Sequence, residues 1–230
     1  MTMPSPTWLA DLPHSRLLAE FSMWSADLIH LADDLKRIES HADVLHIDVA
    51  DGHFAPALLF FPDLAARLRK ASTLPIHVHL MVADAVLHDQ VDQFAEAGAD
   101  LISVHAENGN AGEALTRIKD HGLASGVVLR VETPVAASRP FLDRIDFLTL
   151  LGTAIGVKGQ GLDPSAADRL REAGRYISET GRRVVLAADG GIRENTVPLL
   201  RSAGAETVVM GSLAFGAEDL AARIRWLHAL

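Results

Sequence analysis

The sequence predicts an α/β fold, a closed (β/α)8 barrel of the TIM type, on three observations. Short apolar runs alternate with longer amphipathic ones along nearly the whole chain. The 230 residues suit one large domain, and barrels of this kind routinely reach that length as a single unit. Glycine clusters follow the late apolar runs, where a barrel places its loops. A doubly wound open sheet is the rival arrangement.

The strand-like runs, in order, are Leu17–Trp24, Val44–Val49, Ile76–Val82, Leu101–His105, Gly126–Val131, Phe147–Leu151, Val184–Ala188 and Thr207–Met210. They are short, rich in Val, Ile and Leu, and bounded by turn residues, as strands buried on both faces are. Between them Asp27–Glu39 carries Leu28, Leu31, Leu35 and Ile38 at helical spacing. Asp63–Lys70, Asp89–Ala97, Ala111–His121, Pro164–Glu179, Glu194–Ala203 and Glu218–Leu230 read the same way, and Pro134–Arg144 more weakly. A strand followed by a helix and another strand implies a parallel sheet with right-handed crossovers. Residues 1–15, with their prolines and no periodicity, read as an arm before a single domain spanning 16–230.

Composition narrows the function. Cysteine is absent, which excludes disulfides, a thiol nucleophile and cysteine-based metal sites. The net charge of −9 argues against a nucleic-acid or anionic-membrane surface. No run approaches the length of a membrane span, and the first residues lack the pattern of a signal peptide, so a cytoplasmic location is expected.

In a barrel of this type the reactive residues sit where strands end. The second strand ends Leu45-His46-Ile47-Asp48-Val49, which puts His46 and Asp48 on one face, opposite three aliphatic neighbours. On the third strand His77 and His79 share a face. The seventh ends Ala188-Asp189-Gly190-Gly191, and the fourth offers His105 and Glu107. Imidazoles and carboxylates converging in one mouth suit Zn²⁺, Fe²⁺, Mn²⁺ or Co²⁺ rather than Ca²⁺ or Mg²⁺. The alternative is a set of hydrogen-bonded polar groups inside the barrel. Gly190-Gly191, Gly211-Ser212 and Gly156, Gly159 and Gly161 follow the seventh, eighth and sixth strands. Backbone N–H groups at such turns bind phosphate, which marks the barrel as a phosphate-binding one.

These residues resemble the ribulose-phosphate 3-epimerase family from about Phe21 to Phe215. The matching segments, in order, are "SMWSADL" from Ser22, "LHIDVADGHFAP" from Leu45, "HLMV" at His79–Val82, "HAE" at His105–Glu107, "ADGGI" at Ala188–Ile192 and "GS" at Gly211–Ser212. The resemblance implies one divalent metal ion held by His46, Asp48, His79 and Asp189, with Asp48 and Asp189 also the acid and base. It selects His79 over His77, which stands where the family usually has an aspartate. It places Ser22 and Met81 near the substrate, the loop bearing Gly159 and Gln160 over it, and its phosphate on Gly190, Gly191, Gly211 and Ser212. The implied reaction is epimerisation at C3 of a ketose phosphate, D-ribulose 5-phosphate to D-xylulose 5-phosphate. Two aspartates flanking the carbon would transfer the protons, through an enediolate that the metal stabilises. A homo-oligomer is also implied.

Departures from the family pattern bear on the sugar. The loop Ile155–Gly161 has lost a proline and a glycine and gained Lys158, either a contact to phosphate or a solvated lysine. Ala50 and Leu151 replace methionines of the mouth. Ala57 and Phe61 replace smaller or polar residues, so Phe61 either anchors a helix or narrows the site. Glu132 is placed to face the mouth. Another ketose phosphate, a hexulose or tetrulose phosphate, is the alternative substrate, and a non-catalytic sugar-phosphate-binding barrel the alternative function. A lyase of related fold is disfavoured because Asp48–Asp51 lacks the lysine of an Asp-x-Lys-x-x-Asp pattern.

Overall fold

In the computed structural model, which describes residues 3–230, eight parallel strands close into a barrel in sequence order. They are β1 (Leu18–Ser22), β2 (Val44–Ala50), β3 (Ile76–Met81), β4 (Leu101–His105), β5 (Ala124–Leu129), β6 (Phe147–Leu151), β7 (Val185–Asp189) and β8 (Thr207–Met210). The helices are α1 (Trp8–Asp11), α2 (Leu31–Ile38), α3 (Pro62–Ala71), α4 (Asp84–Glu96), α5 (Ala111–Asp120), α6 (Ala166–Thr180), α7 (Val197–Ser202), α8 (Ser212–Phe215) and α9 (Leu220–His228). The rival open sheet is thereby excluded, since β1 pairs with both β2 and β8. Among the described residues no helix is long and apolar enough to cross a membrane.

The pleat sorts the strand residues into two sets. Leu45, Ile47 and Val49 of β2, with Val78 and Leu80 of β3 and Leu148 and Leu150 of β6, pack outward in the core shared with the helices. The alternate residues fill the barrel. Its floor is Leu18, Val44, Leu101, Phe147 and Val185, the first residues of their strands. Trp8, Leu9 and Leu12 of the N-terminal segment pack on that floor. Positions 1 and 2 of the expected arm lie outside the described residues.

Above the floor the interior turns polar. Register places Glu20 beside Val44, Ser22 beside His46, His46 beside His77 and Asp48 beside His79. Gly126 of β5 is required here, because a Cβ at that position would lie 2.1 Å from Ser103 Oγ. The strand gives up a side chain so that Ser103 can stand inside the barrel.

Several boundaries differ from the periodicity. The expected helix at Asp27 begins only at Leu31. The Asp27 carboxylate accepts from Ile29 N–H and pairs with His30, which makes a turn and leaves Leu28 half exposed. The helix expected from Asp89 begins five residues earlier, directly after β3. β5 starts and stops two residues before the expected range; Arg130 N–H donates to the Glu107 carboxylate instead of extending the ladder. The weak segment before β6 is a 3-10 helix, Val135–Arg144, interrupted by Pro140, which lacks the N–H an α-helix needs.

Candidate active site

A cavity of about 350 Å³ opens at the C-terminal end of the strands. Ser22, Asp48, His79, Met81 and Asp189 form its base, and the turns after β6, β7 and β8 form its walls. Of the expected substrate contacts, Ser22, Met81, Gly159, Gln160, Gly190, Gly191, Gly211 and Ser212 all line it.

At the base, His46, Asp48, His79 and Asp189 each bring one donor atom within 4.8 Å of the others. His46 Nε2 is 3.2 Å from Asp48 Oδ1. His79 Nδ1 is 3.4 Å from the same oxygen and 3.9 Å from Asp189 Oδ2. Asp48 is held from its other side by the Ser22 hydroxyl, which donates to Oδ2 at 2.8 Å. His79 Nδ1 is buried and has no hydrogen-bond partner. A buried ring nitrogen facing two carboxylates without a partner fits a cation coordinated by two nitrogens and two oxygens.

Burial shapes the charge of this cluster. It would raise the Asp48 carboxyl, but His46, with His79 beyond it, outweighs it and holds Asp48 well below the usual range. Burial pushes the Asp189 carboxyl up to about 6; Asp48 adds to the rise while His46 and His79 oppose it. Burial also works against a charge on His46, yet Asp48 and Glu20 carry that ring well above the ordinary imidazole value. Two carboxyls in one mouth therefore differ in proton affinity, Asp189 having the higher.

Deeper in the barrel lie groups that the motifs did not assign. Glu20 is fully buried, and its Oε1 accepts from His46 Nδ1 at 2.6 Å and from His77 Nδ1. His77 Nε2 meets the Ser103 hydroxyl at 2.7 Å. Burial would raise Glu20, but His77 and His46 hold it well below the carboxylate range. Burial pulls the His77 ring down despite Glu20. On the far side of His79, His105 Nε2 lies 2.8 Å from His79 Nε2, and His105 Nδ1 is 3.0 Å from Glu107 Oε2. Burial pushes His105 down to about 4. Against burial, His105 and Thr133 hold Glu107 at about 2. The signal for Glu20 was its position as the one charge in an apolar run, which demands a partner when buried.

The rim is built from glycines. Gly190 and Gly191 have φ of +85° and +70°, and a Cβ would stand 2.3 Å from Thr153 Oγ1 and 2.7 Å from Leu162 Cα respectively. Only glycine keeps this turn and the backbone's close approach. Arg193, which follows it, lines the cavity and donates through Nη1 to Ser212 Oγ at 2.9 Å. Sequence reasoning passed over Arg193 in favour of Lys158. The Lys158 ammonium instead donates to the Trp24 carbonyl and stands 4.5 Å from the centre of the Trp24 ring. Gln160 accepts from Ala154 N–H at 2.8 Å, bracing its own loop.

Two departures resolve differently from expectation. Phe61 is 58% exposed, so it neither anchors a helix nor narrows the cavity. Glu132 is exposed and does not line the cavity. Asp51, the outer aspartate of Asp48–Asp51, accepts from three backbone N–H groups, those of His53, Phe54 and Ala83. Its work is to shape the turn after β2.

Comparison with known proteins identifies a family. The family described as "Ribulose-phosphate 3 epimerase family" matches residues 18–215. The chain is 36% identical over 201 residues to a ribulose-phosphate 3-epimerase of Bacillus subtilis (strain 168), covering 86% of this chain and 92% of that protein. It is 36% identical over 203 residues to the one from Escherichia coli (strain K12), covering 86% and 88%. A solved structure of 3-hexulose-6-phosphate synthase superposes with a TM-score of 0.67 at 19% identity, covering 93% of this chain and 99% of that one. The structure of orotidine 5'-phosphate decarboxylase from Pyrococcus horikoshii OT3 superposes with a TM-score of 0.65 at 12% identity, covering 91% and 97%. The two structural likenesses speak to the fold alone.

Proposed function

The chain belongs to the ribulose-phosphate 3-epimerase family, and we propose that it interconverts D-ribulose 5-phosphate and D-xylulose 5-phosphate. The observation that carries this reading is the pairing of Asp48 and Asp189, two carboxyls of unequal proton affinity in one cavity base. Epimerisation next to a ketone needs a base to take a proton from one face and an acid to return one to the other. Asp48, held as carboxylate, takes the C3 proton in one direction; Asp189 delivers a proton to the opposite face. In the reverse direction the roles exchange. The Ser22 hydroxyl fixes the Asp48 carboxylate, so its free lone pairs meet the substrate in one orientation.

His46, Asp48, His79 and Asp189 would hold one divalent cation, Zn²⁺, Fe²⁺, Mn²⁺ or Co²⁺, which supplies Lewis-acid stabilisation of the negative charge that the enediolate develops. The phosphate lies on the N–H groups of Gly190, Gly191, Gly211 and Ser212, with the Arg193 guanidinium beside them. Anchoring the far end of the sugar converts remote binding energy into positioning at C3. Met81 and Leu151 give the cavity apolar walls, and the loop carrying Gly159 and Gln160 covers the sugar.

The test is conversion of ribulose 5-phosphate by protein stripped with a chelator and reloaded separately with each of the four metals. Stripping is expected to abolish conversion and at least one metal to restore it. Conversion of a hexulose or tetrulose phosphate alone would move the assignment to that substrate. Metal-loaded protein inert toward all three would leave a binding barrel.

A further inference from the structure

The two histidines of the cluster face it through different ring nitrogens, His46 through Nε2 and His79 through Nδ1. We propose that two buried carboxylates outside the cluster, Glu20 and Glu107, fix these rings in opposite tautomers and so act as positioning residues for the cation. The inference rests on the metal reading above and deepens it.

Glu107 is an acceptor on both oxygens: Oε1 takes the Arg130 N–H and the Thr133 hydroxyl, and Oε2 faces His105. His105 Nδ1 must therefore carry a hydrogen and donate to Oε2. The other nitrogen of a neutral ring is then an acceptor. His105 Nε2 accepts from His79 Nε2, which must be the protonated nitrogen of its own ring. On a neutral His79 ring, the form that binds a metal, what remains is an unprotonated Nδ1, the buried atom without a hydrogen-bond partner that faces Asp48 and Asp189. A carboxylate on the loop after β4 thus determines, through one intervening ring, which nitrogen of β3 is free for a metal.

Glu20 does the same for His46 directly. Its Oε1 accepts from His46 Nδ1, so Nε2, which donates to Asp48 Oδ1 in the metal-free protein, is the nitrogen that a cation takes when it displaces that hydrogen. The same oxygen accepts from His77 Nδ1, and His77 Nε2 in turn accepts from Ser103. Glu20, His46 and His77 also gather donor atoms within 4.8 Å, but both Nδ1 atoms already bond to one Glu20 oxygen, which makes this a hydrogen-bond network. Carboxylates that orient metal-binding imidazoles from behind typically govern affinity by one to two orders of magnitude.

Substitution distinguishes the two arms. In Glu107→Gln the amide oxygen keeps the Arg130 N–H and its NH2 group meets His105 Nδ1. The chain then reverses: His105 donates through Nε2 to His79, and His79 carries its hydrogen on Nδ1, where a cation would bind. Glu20→Gln keeps an oxygen for the two Nδ1–H groups, so the His46 tautomer survives.

The experiment is long-range proton–nitrogen NMR of the 15N-histidine protein, metal-free and with Zn²⁺ alone, together with Zn²⁺ affinity from competition with a chromophoric chelator. In the unsubstituted protein zinc is expected on Nε2 of His46 and Nδ1 of His79. Glu107→Gln is expected to show His79 protonated at Nδ1 when metal-free and to bind zinc roughly 10- to 100-fold more weakly, with Glu20→Gln weakened less. Zinc on the same type of ring nitrogen in both histidines, or an unchanged His79 tautomer in Glu107→Gln, overturns the inference and leaves the metal reading standing. No zinc-dependent shift at either ring overturns both.

Discussion

Arg193 Nη1 donates to Ser212 Oγ at 2.9 Å and so ties the turn after β7 to the turn after β8 across the cavity rim. The guanidinium sits beside the N–H groups proposed to receive phosphate. Arg193→Ala is expected to raise KM for the sugar phosphate roughly 10- to 100-fold, the worth of a charge-assisted hydrogen bond of about 1.5–3 kcal/mol, with kcat changed far less. Steady-state kinetics check this, and Arg193→Lys should recover part of the loss. An unchanged KM in Arg193→Ala would remove Arg193 from the phosphate site.

Lys158 holds the wall formed by the loop after β6. Its ammonium bonds the Trp24 carbonyl and stacks over the Trp24 ring, joining the loop after β6 to the segment after β1. Lys158→Ala should cut this clasp, worth on the order of 1 kcal/mol at a partly exposed site, and speed proteolysis between Ile155 and Gly161. Mass mapping of limited digests reads the cleavage site. Equal cleavage rates would show that the loop holds its place without the lysine.

His105 gives a pH signature to the metal-free fold. Its folded value, about 4, lies below the ordinary imidazole value of 6.5, so between those values the unfolded chain binds the proton and the folded one does not. Stability from this residue is therefore complete above pH 6.5 and declines as pH falls toward 4. His105→Gln lacks the effect. Urea denaturation in chelator should show the stability difference between the two proteins shifting against the unsubstituted one by about 2 kcal/mol between about pH 7 and about pH 5. A difference independent of pH would mean that His105 takes up its proton equally in the folded and unfolded chain.

Gly126 tests the packing of the polar layer. An added Cβ would stand 2.1 Å from Ser103 Oγ and 3.2 Å from Phe147 Cβ, so Gly126→Ala should cost about 1–3 kcal/mol by overpacking. Combining it with Ser103→Ala should restore part of that loss, because the clash is mainly with the hydroxyl. Purely additive losses in urea denaturation would contradict the proposed clash.

How far the chain could be read in advance depended on whether a feature is local. Alternation of apolar runs and amphipathic helices is local, and it yielded the barrel. The pleat is local too: His46 and Asp48 had to share a face, and the end of β7 had to present Asp189 to the same mouth. The partners of Glu20 were not legible, because they depend on the register of β2 and β3 against β1. Nor was the contact of His79 with His105, which needs two adjacent strands to bring ring beside ring. Leu28 misled for a different reason: its spacing fits the helical stripe, but the Asp27 side chain captures the backbone first.

Asp48 and Asp189 are proposed to work as two separate proton-transfer groups on opposite faces of one carbon. The direct measurement is proton NMR of ribulose 5-phosphate in deuterium oxide with metal-loaded protein, beside Asp48→Asn and Asp189→Asn. The unsubstituted protein should exchange the C3 proton for deuterium and form xylulose 5-phosphate. Each variant should lose formation of the epimer, and exchange without inversion should survive in at most one of the two sugars. Epimerisation at an undiminished rate in either variant would contradict the account.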